Sequence, residues 1–207
     1  VTRLPFRLVL ITDWALPDCA ARMARALEAG PGVAVQHRHP GAVDRAFYAE
    51  AEALSAACAA AGAPLFVNGR LDVALAVGAH LHLPAAALRV ADVRPHLPPG
   101  RWLSVAVHDE AEARAAAGAD LALVSPVFAP SSKPGDARPL LGPDGLRRLA
   151  GVLPCPAFAL GGVDAARARA LGDVAGVAAL SHVLTAEDPR EACRALLEGL
   201  RLQSADA

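Results

Sequence analysis

Two short segments, Ala159-Leu-Gly-Gly-Val163 and Ala179-Leu-Ser-His-Val183, carry the residue types that hold a phosphate. In the first, Gly161 and Gly162 end an apolar run just before a helix candidate opened by Asp164, where backbone N–H groups can face an anion with no Cβ in the way. The second offers the Ser181 hydroxyl and the backbone around His182. Gly-Gly alone reads equally well as a tight turn. Two such segments closing neighbouring runs point instead to a shared anion site. Earlier in the chain, Ser125 to Pro139 is polar, rich in Pro and Ser, and long enough for a lid. Lys133 would bring a cation to the ligand there, with Ser131 and Ser132 as hydroxyl donors, although a solvated loop fits the same composition.

Histidines gather at other run ends. His37, His39, His82 and His108 all lie at or near one, and an imidazole with an ordinary pKa of about 6.5 can pass a proton at neutral pH. His82 and His108 are the candidate acid/base groups, whereas His37 and His39 alternate with Gln36 and Arg38 and so face the other way. A metal site built from His80, His82, His37 and His39 is not expected, because no Cys, Asp or Glu accompanies them at the run ends.

Something must bring these ends together. Eight apolar runs can be read: 6–13, 32–38, 64–69, 80–84, 102–108, 121–128, 155–162 and 176–183. Each is apolar through its middle, as strands covered on both faces are. Between and after them lie helix candidates at 18–30, 44–62, 70–78, 88–97, 109–118, 142–152, 164–172 and 188–200, several opened by Asp and closed by Gly. Even alternation of this kind predicts a parallel sheet. Eight units predict a (β/α)8 TIM barrel in a single domain over residues 1–207, with a doubly wound sheet as the rival. Chemistry in such barrels sits on the C-terminal rim, and phosphate on the loops after strands seven and eight.

Composition narrows the partners. The chain has 207 residues, 54% hydrophobic, and a formal net charge of -1. Its Lys and Arg are scattered without a basic stripe, which argues against a nucleic-acid surface and for a small partner, a phosphorylated one by the two segments above. A homo-oligomer is compatible with the sequence. The four cysteines are widely spaced with no CxxC pair, suggesting reduced thiols and a cytoplasmic location. No apolar run is long enough for a membrane span.

Taken in order, these segments resemble the thiamine phosphate synthase family and its TenI (thiazole tautomerase) branch, over nearly the whole chain. LVLITD is similar to the family's first strand, VAVQHR to its Gln-x-Arg strand, FVNGR to its Asn-Asp-Arg, and GAHLHL to its Gly-Val-His-Leu. SPVFAPSSKPG resembles its Gly-Pro-Val-Phe-x-Thr-x-Thr-Lys loop, and ALGGV and GVAALSHV its phosphate segments. The resemblance implies a barrel that joins an aminopyrimidine diphosphate to a thiazole phosphate with Mg2+ present. Gln36, Arg38, Asn68 and Lys133, with Ser132, would handle the pyrimidine and its diphosphate. Gly161, Gly162, Ser181 and His182 would hold the thiazole phosphate.

The departures are as informative as the matches. Gly69 stands where the family has a magnesium-binding Asp, and Ala87 where it has a second acid. Pro40 replaces a lysine, Ala106 a serine, and Pro130 a threonine; Ser132 is a milder change. No metal ligand is assigned, and Mg2+ is implied only if synthase activity is retained. The TenI catalytic histidine corresponds to Pro126. Three readings follow: a synthase-type transferase, a tautomerase using another histidine, or a phosphate-binding barrel without turnover.

Overall fold

Every apolar run predicted as a strand forms one. The computed structural model describes residues 4–129, 138–172 and 174–203. Its strands are β1 (Leu8–Ile11), β2 (Val33–His37), β3 (Leu65–Asn68), β4 (His80–Leu83), β5 (Leu103–Val107), β6 (Leu121–Val124), β7 (Ala157–Leu160) and β8 (Gly176–Ala179). Helices α1 (Cys19–Leu27), α2 (Asp44–Ala61), α3 (Leu71–Ala76), α4 (Val90–Val93), α5 (Glu110–Ala115), α6 (Gly142–Val152), α7 (Ala165–Ala170), α8 (Ser181–Leu184) and α9 (Pro189–Gln203) lie between and after them. Neighbouring strands pair in parallel in sequence order. β8 closes the barrel onto β1 through Leu8↔Val177 and Leu10↔Ala179.

Strand alternation divides the apolar residues into two cores. Leu8, Leu10, Val33, Val35 and their equivalents pack outward against the helices. Val9, Ile11, Ala34, Phe66, Leu123, Phe158 and Ala178 fill the barrel interior. At its N-terminal end the interior is sealed by aromatic rings. Phe6 lies 5.8 Å from Phe66 and 5.6 Å from Phe158, and His80 stacks on Trp102 at 4.3 Å. The Trp102 backbone N–H donates to His80 Nδ1 at 2.9 Å, which fixes that ring's place in the plug. Any ligand space is therefore pushed to the C-terminal end.

Two elements differ from the sequence expectation. The predicted helix over 88–97 is a single turn, α4, followed by a 3-10 turn at Arg94–His96. Pro95, Pro98 and Pro99 remove the N–H groups that a longer helix would need. The eighth run is strand only to Ala179, and Ser181 and His182 belong to the one-turn α8. This short extra helix after β8 is typical of phosphate-binding barrels.

Candidate active site

Above the aromatic plug the inward positions turn polar. On β2 the inner side chains run Ala34, Gln36 and then, just past the strand, Arg38; on β3, Phe66 and Asn68; on β4, His80 and His82; on β5, Ser104, Ala106 and then, just past the strand, His108. Gln36, Arg38, Asn68, His82 and His108 thereby line one cavity of about 700 Å3 at the C-terminal rim, a size typical of small-molecule sites. Gln36 is only 2% exposed, and among the described residues no group bonds its side-chain amide, which opens on the cavity. The Arg38 guanidinium likewise has no acidic partner among the described residues, and its charge reaches His82.

Two of the histidines that line the cavity, His82 and His108, are held differently. His82 is 4% exposed, with Nδ1 2.8 Å from Ser104 Oγ. Burial, and then the Arg38 charge, push its pKa down to about 3, so the ring is neutral throughout the physiological range. His108 lies at the rim, and its Nδ1–H donates to Glu112 Oε2 at 2.8 Å. Its backbone N–H donates to the same oxygen at 2.7 Å.

Across the cavity, Gly161 and Gly162 follow β7 with φ of 100° and 59°. Among the described residues, none accepts a hydrogen bond from the N–H groups of Gly161, Gly162, Ser181 or His182. These groups border the same cavity and can take an anion. Arg167 fixes the first pair from α7: its Nη1 donates to Gly162 O at 2.5 Å, and its guanidinium lies 4.9 Å from the Phe128 ring centre.

Other expected residues fall elsewhere. Ser132 and Lys133 lie outside the described residues. His37 and His39 do face away from the cavity, as their alternation predicts. His37 is fully buried against Phe47 of α2, donating through Nε2 to Phe47 O at 3.2 Å and accepting from Trp14 Nε1 at Nδ1. His39 Nδ1 donates to Glu50 at 2.9 Å. Acids do accompany rim histidines, contrary to expectation, but they reach them from helices. Glu112 was missed, as were Ser104, Ser125, Arg138 and Arg167. For Glu112 a signal was present, since it follows His108 by four residues in His-Asp-x-x-Glu.

The comparisons with known proteins give this rim a lineage. A model of the family described as thiamine monophosphate synthase matches residues 8–183. The chain belongs to the thiamine monophosphate synthase family. It is 38% identical to a thiamine-phosphate synthase of Chloroflexus aurantiacus, covering 92% of this chain and 91% of that one. It is 42% identical over 150 residues to the thiamine biosynthesis bifunctional protein ThiM/ThiE of Symbiobacterium thermophilum, and spans only 31% of that longer protein. Among solved structures, the thiamine phosphate pyrophosphorylase of Pyrococcus furiosus superposes with a TM-score of 0.83 at 31% identity, covering 96% of both chains. The 3-hexulose-6-phosphate synthase of Salmonella typhimurium, at 18% identity and a TM-score of 0.68, shares the fold alone.

Within this family frame the acid content of the cavity stands out. Asp164 is its only carboxylate among the described residues. Its Oδ1 accepts the Arg167 N–H at 2.8 Å and caps α7. No group of three His, Cys, Asp or Glu able to hold a metal ion occurs among the described residues. Beside Asn68 stands Gly69, and the segment after β4 is Pro84-Ala-Ala-Ala87.

Proposed function

We propose that the protein binds a thiazole phosphate at the barrel mouth, the phosphate resting on the N–H groups of Gly161, Gly162, Ser181 and His182, and that it works on this ligand without a bound divalent metal. The observation that carries the reading is the one-sided chemistry of the cavity. Unbonded N–H donors and the Arg38 guanidinium favour an anion. Mg2+ takes oxygen ligands, usually one or two carboxylates besides substrate phosphates. Asp164 already caps a helix, and Gly69 and Ala87 bring no carboxylate, so the side chains present do not fit that ion.

The relatives' names speak of thiamine-phosphate synthases, and family membership supports a phosphorylated small molecule as substrate. Gln36, Arg38 and Asn68 would then be available to an aminopyrimidine diphosphate on the other side of the cavity. Their amides can read a heteroaromatic ring, and Arg38 can pair with phosphate. Charge grows on a departing diphosphate, however, and needs concentrated positive charge at that instant. Without the metal that role falls to side chains alone, and a slow synthase results.

A second reading is favoured by His108 and Glu112. Proton transfer on a bound thiazole phosphate, as in a tautomerase, needs an oriented imidazole and no metal. Calorimetric titration with thiazole phosphate, with Mg2+ and with a chelator, tests the main reading. Saturable binding of equal affinity under both conditions is expected. Loss of binding on chelation, or rapid Mg2+-dependent pyrophosphate release from both substrates, would overturn it.

A further inference from the structure

Glu112 does two things with one oxygen. Asp109 caps α5 by accepting the Glu112 N–H at 2.9 Å, so the start of the helix sets where Glu112 stands. In the usual capping box the Glu at this position reaches back to the cap residue's own N–H. Here it reaches one residue further, to the His108 N–H, and the same Oε2 also takes the ring Nδ1–H. A cap alone does not need the ring contact. Because Nδ1 carries the shared proton, the neutral ring keeps its lone pair on Nε2, in a residue that lines the cavity.

His82 offers a contrast on the neighbouring strand. Its partner is the Ser104 hydroxyl rather than a carboxylate, and no charge stands ready to stabilise an imidazolium there. Of these two rings, His108 is the one whose Nδ1 is held by a carboxylate.

We propose that Glu112 is the positioning residue that makes His108 the base for proton transfer on the bound phosphorylated ring; this rests on the tautomerase-type reading above. His108 Nε2 takes a proton from a C–H or N–H of the bound heterocycle, whose electron pair shifts within the ring system. The imidazolium, held by the Glu112 carboxylate, then returns a proton to a different ring atom. The reaction is an isomerisation: nothing is oxidised, nothing leaves and no co-reactant is needed.

Two variants separate the roles of Glu112. E112Q keeps an acceptor for the cap and for Nδ1–H but removes the charge, whereas E112A removes both. Nitrogen-15 spectra of the ligand-free native protein should show His108 with the proton on Nδ1, and E112A should show mixed tautomers. With thiazole phosphate in D2O, ring-proton exchange in E112Q should lose at least tenfold in kcat with KM within about twofold, a fraction of the 10²–10⁴ attributable to a general base. E112D should recover part of that loss. An Nε2-protonated native ring, or unchanged kcat in a folded E112Q, would overturn the proposal. If the native protein failed to bind thiazole phosphate, the functional reading would fall, and the spectra would still decide whether Glu112 sets the tautomer.

Discussion

Two glycines at the rim have opposite surroundings. A Cβ at Gly162 would lie 2.5 Å from the Ala129 carbonyl oxygen, while one at Gly69 would meet only the Pro84 ring carbons, at 3.7 Å. Gly162→Ala should therefore cost roughly 1–3 kcal/mol by overpacking and displace the N–H groups offered to phosphate. Urea denaturation and thiazole phosphate titration measure the two effects, and unchanged affinity in the variant would remove Gly162 from the site. At Gly69 φ is 72°. Asp is among the few residues that enter this left-handed region, at about 1–2 kcal/mol. Gly69→Asp combined with Ala87→Asp should give a pyrophosphate-releasing rate that rises with added Mg2+. A double variant that folds but gains no such rate would sink the idea that missing carboxylates limit the chemistry. At this scale the strand-end residues His82, His108, Gly161 and Gly162 were legible, because a barrel gathers whatever ends its strands. Glu112 was harder to read. Acid–base pairs four residues apart are common on helix surfaces and individually weak, and only the bend between β5 and α5 turns this one back onto His108.

Strand β4 buries two imidazoles one above the other, His80 in the aromatic plug and His82 in the cavity floor. Burial brings their pKa values to about 4 and about 3, and lowers that of His37 as well. In the unfolded chain all three return to about 6.5. Between that value and the folded one, the unfolded state binds more protons, so stability is complete above about pH 6.5 and declines as pH falls toward 4. Each group contributes up to ~1.4 kcal/mol per pH unit in that window. The carboxylates lowered by arginine partners, such as Asp72 and Asp188, start from 3.8 and act below it. Denaturant midpoints at pH 7, 6 and 5 should therefore drop steeply, and a flat profile would show that these rings are not buried neutral. Element type followed from sequence where periodicity was strong. It failed at 88–97, where three prolines cut a helix to one turn, and after Ala179, where an apolar strand pattern runs on into α8.

Closure belongs to the whole molecule: counting units predicts it, and the structure bears it out, but the count leaves its fastening unread. Eight strand–helix repeats imply a barrel, but they do not say what fastens the last strand to the first. Arg7, just before β1, does so. Its Nε donates to Ala175 O at 3.3 Å and its Nη2 to Val174 O at 3.2 Å, both ahead of β8; Nη1 donates to Leu200 O at 2.5 Å in α9. One guanidinium thus ties the entry of the barrel to its final strand and final helix, across more than 160 residues of chain. In sequence Arg7 is a single charge at the edge of an apolar run, with nothing to mark it. Charge-assisted bonds of this sort contribute about 1.5–3 kcal/mol each at most, and stranded carbonyls add to the loss when the donor is removed. Arg7→Met keeps the apolar stem and deletes the donors. It should lower stability by about 2–4 kcal/mol on those terms and speed amide exchange in β1 and β8 more than in β4 and β5. Uniform acceleration over all strands would mean that the barrel opens only as one unit, and that Arg7 supports it without holding the seam.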